Sequence, residues 1–380
     1  MSMLCTIIPM TKLDFISMSF LKNILLFVIL LSTIVSIHEF GHLIAAKFFG
    51  VYCKEYSIGM GPKLLSKKGK ETEYCLRAFP VGGFVAMAGD TDNSLETKVD
   101  ISDLPPERTL TGIAKWKRII IMLAGIFMNL VLAIVIYSLI ILANGSYVTS
   151  SKPQISLIKE DSPAYRSELK EGDIITTISF DNGLSLNPAS YTELITFTTA
   201  YDGNGPWHLV VDRDGTDLKI DVVPDYQEEE ERYMIGIGFS DVAISYAKVN
   251  IFNCLRYGFD YSMFIVRLTW SSFLSLFKGH NLNNLSGPVG IYNTVSEAAS
   301  YGLEYYIQLI AMISINVGIV NALPLPIFDG GRVLLLLIEA IIRKPLSEKA
   351  QNIIMSLSAA LLLLLFLYIT YNDISKLIGG

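Results

Sequence analysis

The chain has 380 residues, 51% of them hydrophobic and only 17% charged, with a mean hydropathy of +0.45. Those proportions exclude a wholly soluble protein and fit several membrane spans joined to at least one water-facing module. The net charge of −6 gives no electrostatic case for nucleic acid as a partner, and four scattered cysteines (Cys5, Cys53, Cys75, Cys254) show neither metal-ligand pairing nor a disulfide framework.

The first 20 residues carry only Lys12 and Asp14 as charges. The apolar run after Lys22 has no small-residue cleavage site before it, so it reads as a retained span rather than a signal peptide. Leu21 to Phe49 is apolar except at Lys22, His38, Glu39, His42 and Lys47. At about 1.5 Å per residue that length crosses a hydrocarbon core of about 30 Å. Tyr56 to Asp90 changes to short β-like runs around a Lys67-Lys68-Gly69-Lys70 turn, a hairpin signal. Ile119 to Leu142 is a second span, opened by Lys115, Lys117 and Arg118.

Residues 153–224 alternate as strands do, with turns at Asp181-Asn-Gly and Asp214-Gly. They end before the acidic run Glu228 to Glu231, which reads as a solvated loop. Ile251 to Lys278 is aromatic and apolar, but Arg256, Asp260 and Arg267 interrupt it. An Arg in mid-span costs about 2.5–3.5 kcal/mol, so an amphipathic helix lying at the interface is the better expectation, a fifth span the other. Ile307 to Leu323 and Leu357 to Tyr371 complete a set of four spans.

Lys47, Lys54, Lys63, Lys115, Lys117 and Arg118 flank the first loop, and Arg332, Arg343, Lys344 and Lys349 the third. The segment 144–250 holds eight Lys/Arg against eighteen Asp/Glu. Lysine and arginine near span ends stay inside, so loops one and three are expected in the cytoplasm, with both termini and the acidic segment outside. That orientation brings His38, His42 and Asp329 to the same, cytoplasmic, side.

Ile37-His38-Glu39-Phe40-Gly41-His42 carries the chemistry. Positions i and i+4 of a helix share a face, so both imidazoles can meet one zinc ion, and Glu39 beside them is the expected general base for water. Ionisable residues within an apolar span are expensive and functional by default. Catalytic zinc needs a third protein ligand and an open position. Asp329 is the expected third ligand, because Pro324, Pro326, Gly330 and Gly331 break the third span where this carboxylate appears. His208 and His280 are the rival ligands and read as surface histidines.

With these motifs in hand, the chain resembles the site-2 protease family of intramembrane zinc metalloproteases, close to the bacterial regulators of sigma-E protease. His38, Glu39 and His42 match its first motif, and Asn321 to Gly330 its Asn-x-x-Pro-x-Pro-x-Leu-Asp-Gly signature. Further matches are Arg77-Ala-Phe-Pro-Val-Gly-Gly-Phe-Val, Leu123-Ala-Gly125 through Asn129, and Ser286-Gly-Pro-Val-Gly-Ile291. Ile126 replaces a usual Pro, Phe328 a usual Leu, and Arg332 stands where many relatives have His.

The resemblance implies a polytopic α-helical membrane protein with about four transmembrane helices, a membrane-associated β-hairpin and an inserted β-rich PDZ-like domain. Its expected domains are 20–143, with the zinc motif and the cytoplasmic hairpin loop 51–118; the PDZ-like 153–240; an interfacial helix and connector, 251–306; and 307–380, with the Asp ligand. The PDZ match rests on Asp161-Ser-Pro-Ala164 and Leu169-x-x-Gly172-Asp173-x-Ile175, and Ile235 to Gly238 can supply N–H groups to a peptide carboxylate. A strand edge at Gly83 and Phe84 would pair with unwound substrate, Asn321 would hydrogen-bond to it, and Asn129 would tie helices together. The implied substrate is a single-pass membrane protein such as an anti-sigma factor, already cut outside. The setting is the bacterial inner membrane, with the active site toward the cytoplasm and the PDZ-like domain outside. The alternative is a non-catalytic membrane scaffold built on that domain.

Overall fold

The first long apolar run forms helix α1 (Lys12–Phe48), whose only late charge, Lys47, sits in the last turn where the helix dipole favours a cation. The computed structural model describes residues 12–90, 99, 102, 104–150, 153–198, 201, 203–228, 232–239, 245–277, 287–344 and 347–379. After α1 come β1 (Cys53–Lys68), β2 (Glu73–Met87), a 3-10 turn (Pro106–Arg108) and α2 (Lys115–Asn144). A β-rich stretch comes next: β3 (Ser146–Ser150), β4 (Ile155–Ile158), β5 (Ile174–Phe180), β6 (Ser185–Leu186), α3 (Tyr191–Thr198), β7 (Trp207–Arg213) and β8 (Thr216–Val222). It continues with β9 (Asp225–Gln227), β10 (Arg232–Met234), β11 (Ile237–Phe239), β12 (Ser245–Lys248) and α4 (Cys254–Phe277). The chain closes with α5 (Pro288–Tyr301), α6 (Leu303–Asn321), α7 (Asp329–Ile342) and α8 (Glu348–Gly379).

These elements form two compact units, Met1–Ala133 with Ser286–Gly380, and Ile134–Leu285. Among the described residues, four segments are long and apolar enough to cross a membrane: Phe20–Phe48, Lys115–Asn144, Leu303–Asn321 and Ile353–Tyr371. The four expected spans are therefore present, with ends shifted by a few residues. Leu361, Leu364 and Leu367 of α8 lie open, as lipid-facing side chains do. Polar bonds join the helices where water is scarce. Tyr306 donates to the Leu26 carbonyl at 2.8 Å, Ser314 to the Asn129 carbonyl at 3.0 Å, and Asn23 to Ser296 Oγ at 2.5 Å. Two helices, α5 and α7, go beyond the sequence expectation. Pro288 in the first turn starts α5, and the apolar part of α7 is too short to read as a span.

The expected hairpin is there, but it is folded back on itself. Glu55 to Ile58 pair with Glu73 to Leu76 on one side and with Gly83 to Ala86 on the other. Both strands bend at glycines of positive φ, Gly59 and Gly61 in β1 and Gly82 in β2, which other residues adopt only with strain. Gly83 to Met87 is thereby an outer limb with β1 as its paired neighbour. Val85 and Met87 pack with Leu43, Tyr56, Leu110 and Ile121 in one apolar core, and the Tyr56 hydroxyl donates to the Ser36 carbonyl at 2.8 Å.

A charge cluster holds the fold-back in place. Arg77 donates from Nη2 to Glu55 Oε1 at 2.7 Å, and Lys63 reaches Glu55 Oε2 at 2.9 Å and Glu73 at 2.7 Å. The Glu55 side chain is 1% exposed and that of Arg77 6%, so each needs the other. Arg77 also stacks over the Phe84 ring at 5.0 Å.

In the second unit, β6-β5-β7-β8 form an antiparallel sheet, and β4 pairs with β11. Both anticipated turns appear. Asp214 and Gly215, with φ of 53° and 84°, make the tight β7–β8 hairpin, and Gly183 turns the chain after Phe180. Asp173 accepts two bonds of 2.7 Å from Arg213, tying the Gly172-Asp173 turn to β7. Of the acidic run, Glu228 is described and residues 229–231 lie outside the described residues.

Burial alone would raise the pKa of Glu55, but hydrogen bonds from Lys63 and Arg77 outweigh it and hold the carboxyl below its ordinary value. A depressed carboxyl pKa adds stability that is present above the unfolded value of about 4.3 and is lost as pH falls through the folded one. Hydrogen exchange on the intact protein should therefore find the β1–β2 amides protected at pH 7 and progressively opened below about pH 4. Glu55→Leu, which strands the buried guanidinium, should cost about 3–5 kcal/mol of that protection at neutral pH.

Candidate metal centre

The residues that could hold a metal come from two elements far apart in the chain. His38 and His42 sit one turn apart on α1, with ring centroids 4.8 Å apart and the planes at 80°. Asp329 opens α7, where the helix N-terminus favours a carboxylate. Pro324 and Pro326 end α6, and the loop folds back so closely that a side chain on Gly330 would strike the Ala322 carbonyl, and one on Gly331 the Leu325 carbonyl. Bonds from the Gly331 and Arg332 amides to the Phe328 carbonyl, both 3.1 Å, fix the first turn.

The loop delivers Asp329 Oδ2 to 3.0 Å from His38 Nε2 and 3.3 Å from His42 Nε2, and the two nitrogens are 3.2 Å apart. In a tetrahedral zinc site with bonds of about 2.0–2.1 Å, ligand atoms stand about 3.3 Å from one another. The triangle thus has the size and the donor set of a zinc site, two imidazoles and a carboxylate, with room for a fourth ligand. All three residues are at most 9% exposed.

Helix α2 forms the wall behind the triangle. His42 Nδ1–H donates to the Ile121 carbonyl at 2.8 Å, which leaves Nε2 as a bare lone pair for metal. Asn129, fully buried, brings its carboxamide to 3.3 Å from His38 Nδ1. Between them, a Cβ on Gly125 would fall 2.5 Å from His42 Nε2 and 2.7 Å from His38 Nε2. Residues 121, 125 and 129 stand one turn apart and share one helix face. The sequence reading gives Asn129 the task of tying helices, and its backbone does accept from Ser314. The nearness of its side chain to His38 is an addition to that reading, as are the roles of Ile121 and Gly125. The four-residue spacing is their one signal, since a carbonyl and a hydrogen atom carry no chemistry in a sequence.

In front of the triangle lies a cavity of about 340 Å³ lined by Glu39, Phe84, Asn321 and Arg332 among others. Gly83 lines it too, and a Cβ there would lie 3.5 Å from Glu39 Cγ. All the sequence-derived site residues, His38, Glu39, His42, Gly83, Phe84, Asn321 and Asp329, therefore line one cavity.

Of the rival histidines, His280 lies outside the described residues. His208 is in the second unit, with Asp221 on one ring nitrogen and Asp181 on the other, each at 2.8 Å. A second acid–thiol cluster of Glu55, Glu73 and Cys75 exists, but Lys63 and Arg77 already neutralise its carboxylates. Burial also pushes the Cys75 thiol up, away from the thiolate that metals bind.

The clearance at Gly125 gives a direct test. Gly125→Ala drives a methyl group against the Nε2 atoms of His38 and His42, so zinc affinity, read by chelator competition on the detergent-solubilised protein, should fall about 10–100-fold with helix content unchanged.

Comparison with known proteins bears on this geometry. The peptidase family M50 model matches residues 26–365. The regulator of sigma-W protease RasP of Bacillus subtilis is 30% identical, over 94% of this chain and 99% of its own length. Zinc metalloprotease RasP of Bacillus licheniformis is 29% identical, over 94% and 100%, and that of Geobacillus kaustophilus 29%, over 94% and 98%. With the match spanning nearly the whole chain and both sides of the metal triangle inside it, this chain belongs to peptidase family M50, the site-2 type of zinc metalloprotease.

Proposed function

We propose that His38, His42 and Asp329 hold the zinc, that Glu39 is the general base, and that the substrate is a membrane-spanning segment of another protein laid along the limb Gly83–Met87. The observation that carries this reading is the convergence of the three ligand atoms with Glu39 and an outer strand limb on one cavity. When bound, zinc polarises a carbonyl and brings the pKa of a coordinated water down to about 7. The chain itself contributes positioning and proton transfer. The two histidines and Asp329 orient the site, and Glu39 takes a proton from the attacking water and passes it to the leaving amine.

A helix hides its carbonyls in its own hydrogen bonds, so a substrate must unwind before it is cut. The limb Gly83–Met87 offers backbone donors and acceptors on the side away from β1, and Asn321 offers a carboxamide; together they favour an extended strand. Phe79, Leu64 and Leu65, all open to their surroundings, support a hairpin that dips into lipid. The exposed Phe252, Leu255, Phe259 and Trp270 beside exposed Arg256 and Arg267 support an interfacial place for α4.

The second unit supports the PDZ-like reading of 153–240. A groove between α3 and β11, lined by Tyr191, Leu194, Trp207 and the amides of Ile235 to Gly238, has about 360 Å³ for a peptide end. By charge, it faces the outside of a bacterial inner membrane and the zinc site faces the cytoplasm. It would screen for single-pass substrates already shortened outside. The name of the Bacillus subtilis relative, a regulator of sigma-W protease, makes an anti-sigma-like substrate the first choice here.

One assay tests the division of labour, using purified protein, zinc and a tagged single-pass substrate. Glu39→Gln should keep zinc and lose at least about 100-fold in cleavage, the general-base range. Phe84→Pro should keep zinc and cut poorly because the edge loses a donor. Cleavage equal to wild type in either variant would count against the corresponding role.

A further inference from the structure

The ring of His38 is the less complete half of the metal site. His42 has a carbonyl oxygen on Nδ1, which only accepts and so fixes the proton there and frees Nε2. His38 instead has the amide nitrogen of Asn129 at 3.3 Å from Nδ1. A donor in that place makes Nδ1 the acceptor and puts the ring proton on Nε2, where it points at Asp329 Oδ2, 3.0 Å away. A ring protonated there cannot offer Nε2 to a metal. At the same time Asn129 Oδ1 is buried with no hydrogen-bond partner. An orphaned amide oxygen in a site with no exposure is costly in general.

Both faults have one remedy. Turning the carboxamide by half a turn exchanges Nδ2 and Oδ1, which are nearly equal in size. Oδ1 then accepts from Nδ1–H, and Nε2 is left bare toward Asp329 and His42. We propose that Asn129 is the positioning residue that sets the tautomer of His38, its Oδ1 accepting from His38 Nδ1–H. Helix α2 then holds both histidines through oxygen acceptors, Ile121 O on one and Asn129 Oδ1 on the other, with Gly125 giving clearance between them. This deepens the ligand assignment made above and rests on it, since Asn129 acts only through His38.

The test uses the full chain in detergent micelles, with zinc affinity from chelator competition and the visible spectrum of the cobalt(II) form. Asn129→Leu removes the acceptor and should weaken zinc binding about 10–100-fold and alter the cobalt bands. Asn129→Asp can only accept, so it should keep affinity within a few-fold of wild type with the same bands. A role limited to helix packing predicts the opposite order, because leucine fills the space without placing a charge in it. Wild-type affinity in Asn129→Leu, or equal losses in both variants, would overturn the proposal. If the leucine variant does not fold, 15N-histidine spectra of the wild-type zinc form decide: a slowly exchanging, hydrogen-bonded His38 Nδ1–H supports the proposal and a freely exchanging one overturns it. His38→Ala separates this question from the ligand assignment, which fails if that variant binds zinc as wild type does.

Discussion

A cation can be held in a layer that excludes water only if its ligands stand close together and carry compensating charge. Three atoms from α1 and α7, with His38 and Asp329 291 positions apart in the chain, meet here at 3.0–3.3 Å. Most of the first unit is shaped by that requirement. The proline–glycine loop brings the Asp329 carboxylate to the two imidazoles, α2 backs them, and the absent side chain at Gly125 leaves both Nε2 atoms clear. A carboxylate so placed without a cation would be expensive, and a cation without it would have one charge too many to sit in lipid.

The same constraint of compensated charge governs the fold-back of β1 and β2. The limb Gly83–Met87 reaches the cavity because both strands bend at glycines, and the Glu55–Arg77–Lys63 cluster keeps those bends closed. Arg77 links that cluster to Phe84 at the cavity. Stability of the hairpin and shape of the cavity wall are therefore linked, and a loss of charge pairing at Glu55 reaches the cavity through the stacked Phe84 ring.

How much of this is legible in the sequence depends on whether a residue announces its job by its chemistry. His38 and His42 do, because two imidazoles at i and i+4 in an apolar run have few other uses. Asp329 does, because prolines and glycines mark where backbone can be irregular. The wall formed by α2 does not, since Ile121 acts through a carbonyl and Gly125 through what it lacks. Helix α7 is hidden because its apolar stretch is too short to span, and α5 because Pro288 and scattered polar residues blur its period. The doubled hairpin is hidden as well. Alternation indicates strands, but pairing of Glu55 with both Glu73 and Ala86 is set by bends that only positive-φ glycines allow.

X-ray absorption at the zinc edge of the protein loaded with one equivalent of metal bears most directly on the His38–His42–Asp329 triangle. The expected spectrum shows a shell of light atoms only, at about 2.0–2.1 Å, with the multiple-scattering signature of two imidazoles. That signature should be disturbed when Asp329 is replaced by Ala. A sulfur scatterer near about 2.3 Å, as a site built on Cys75 would give, or a spectrum untouched by loss of Asp329, would contradict this ligand set.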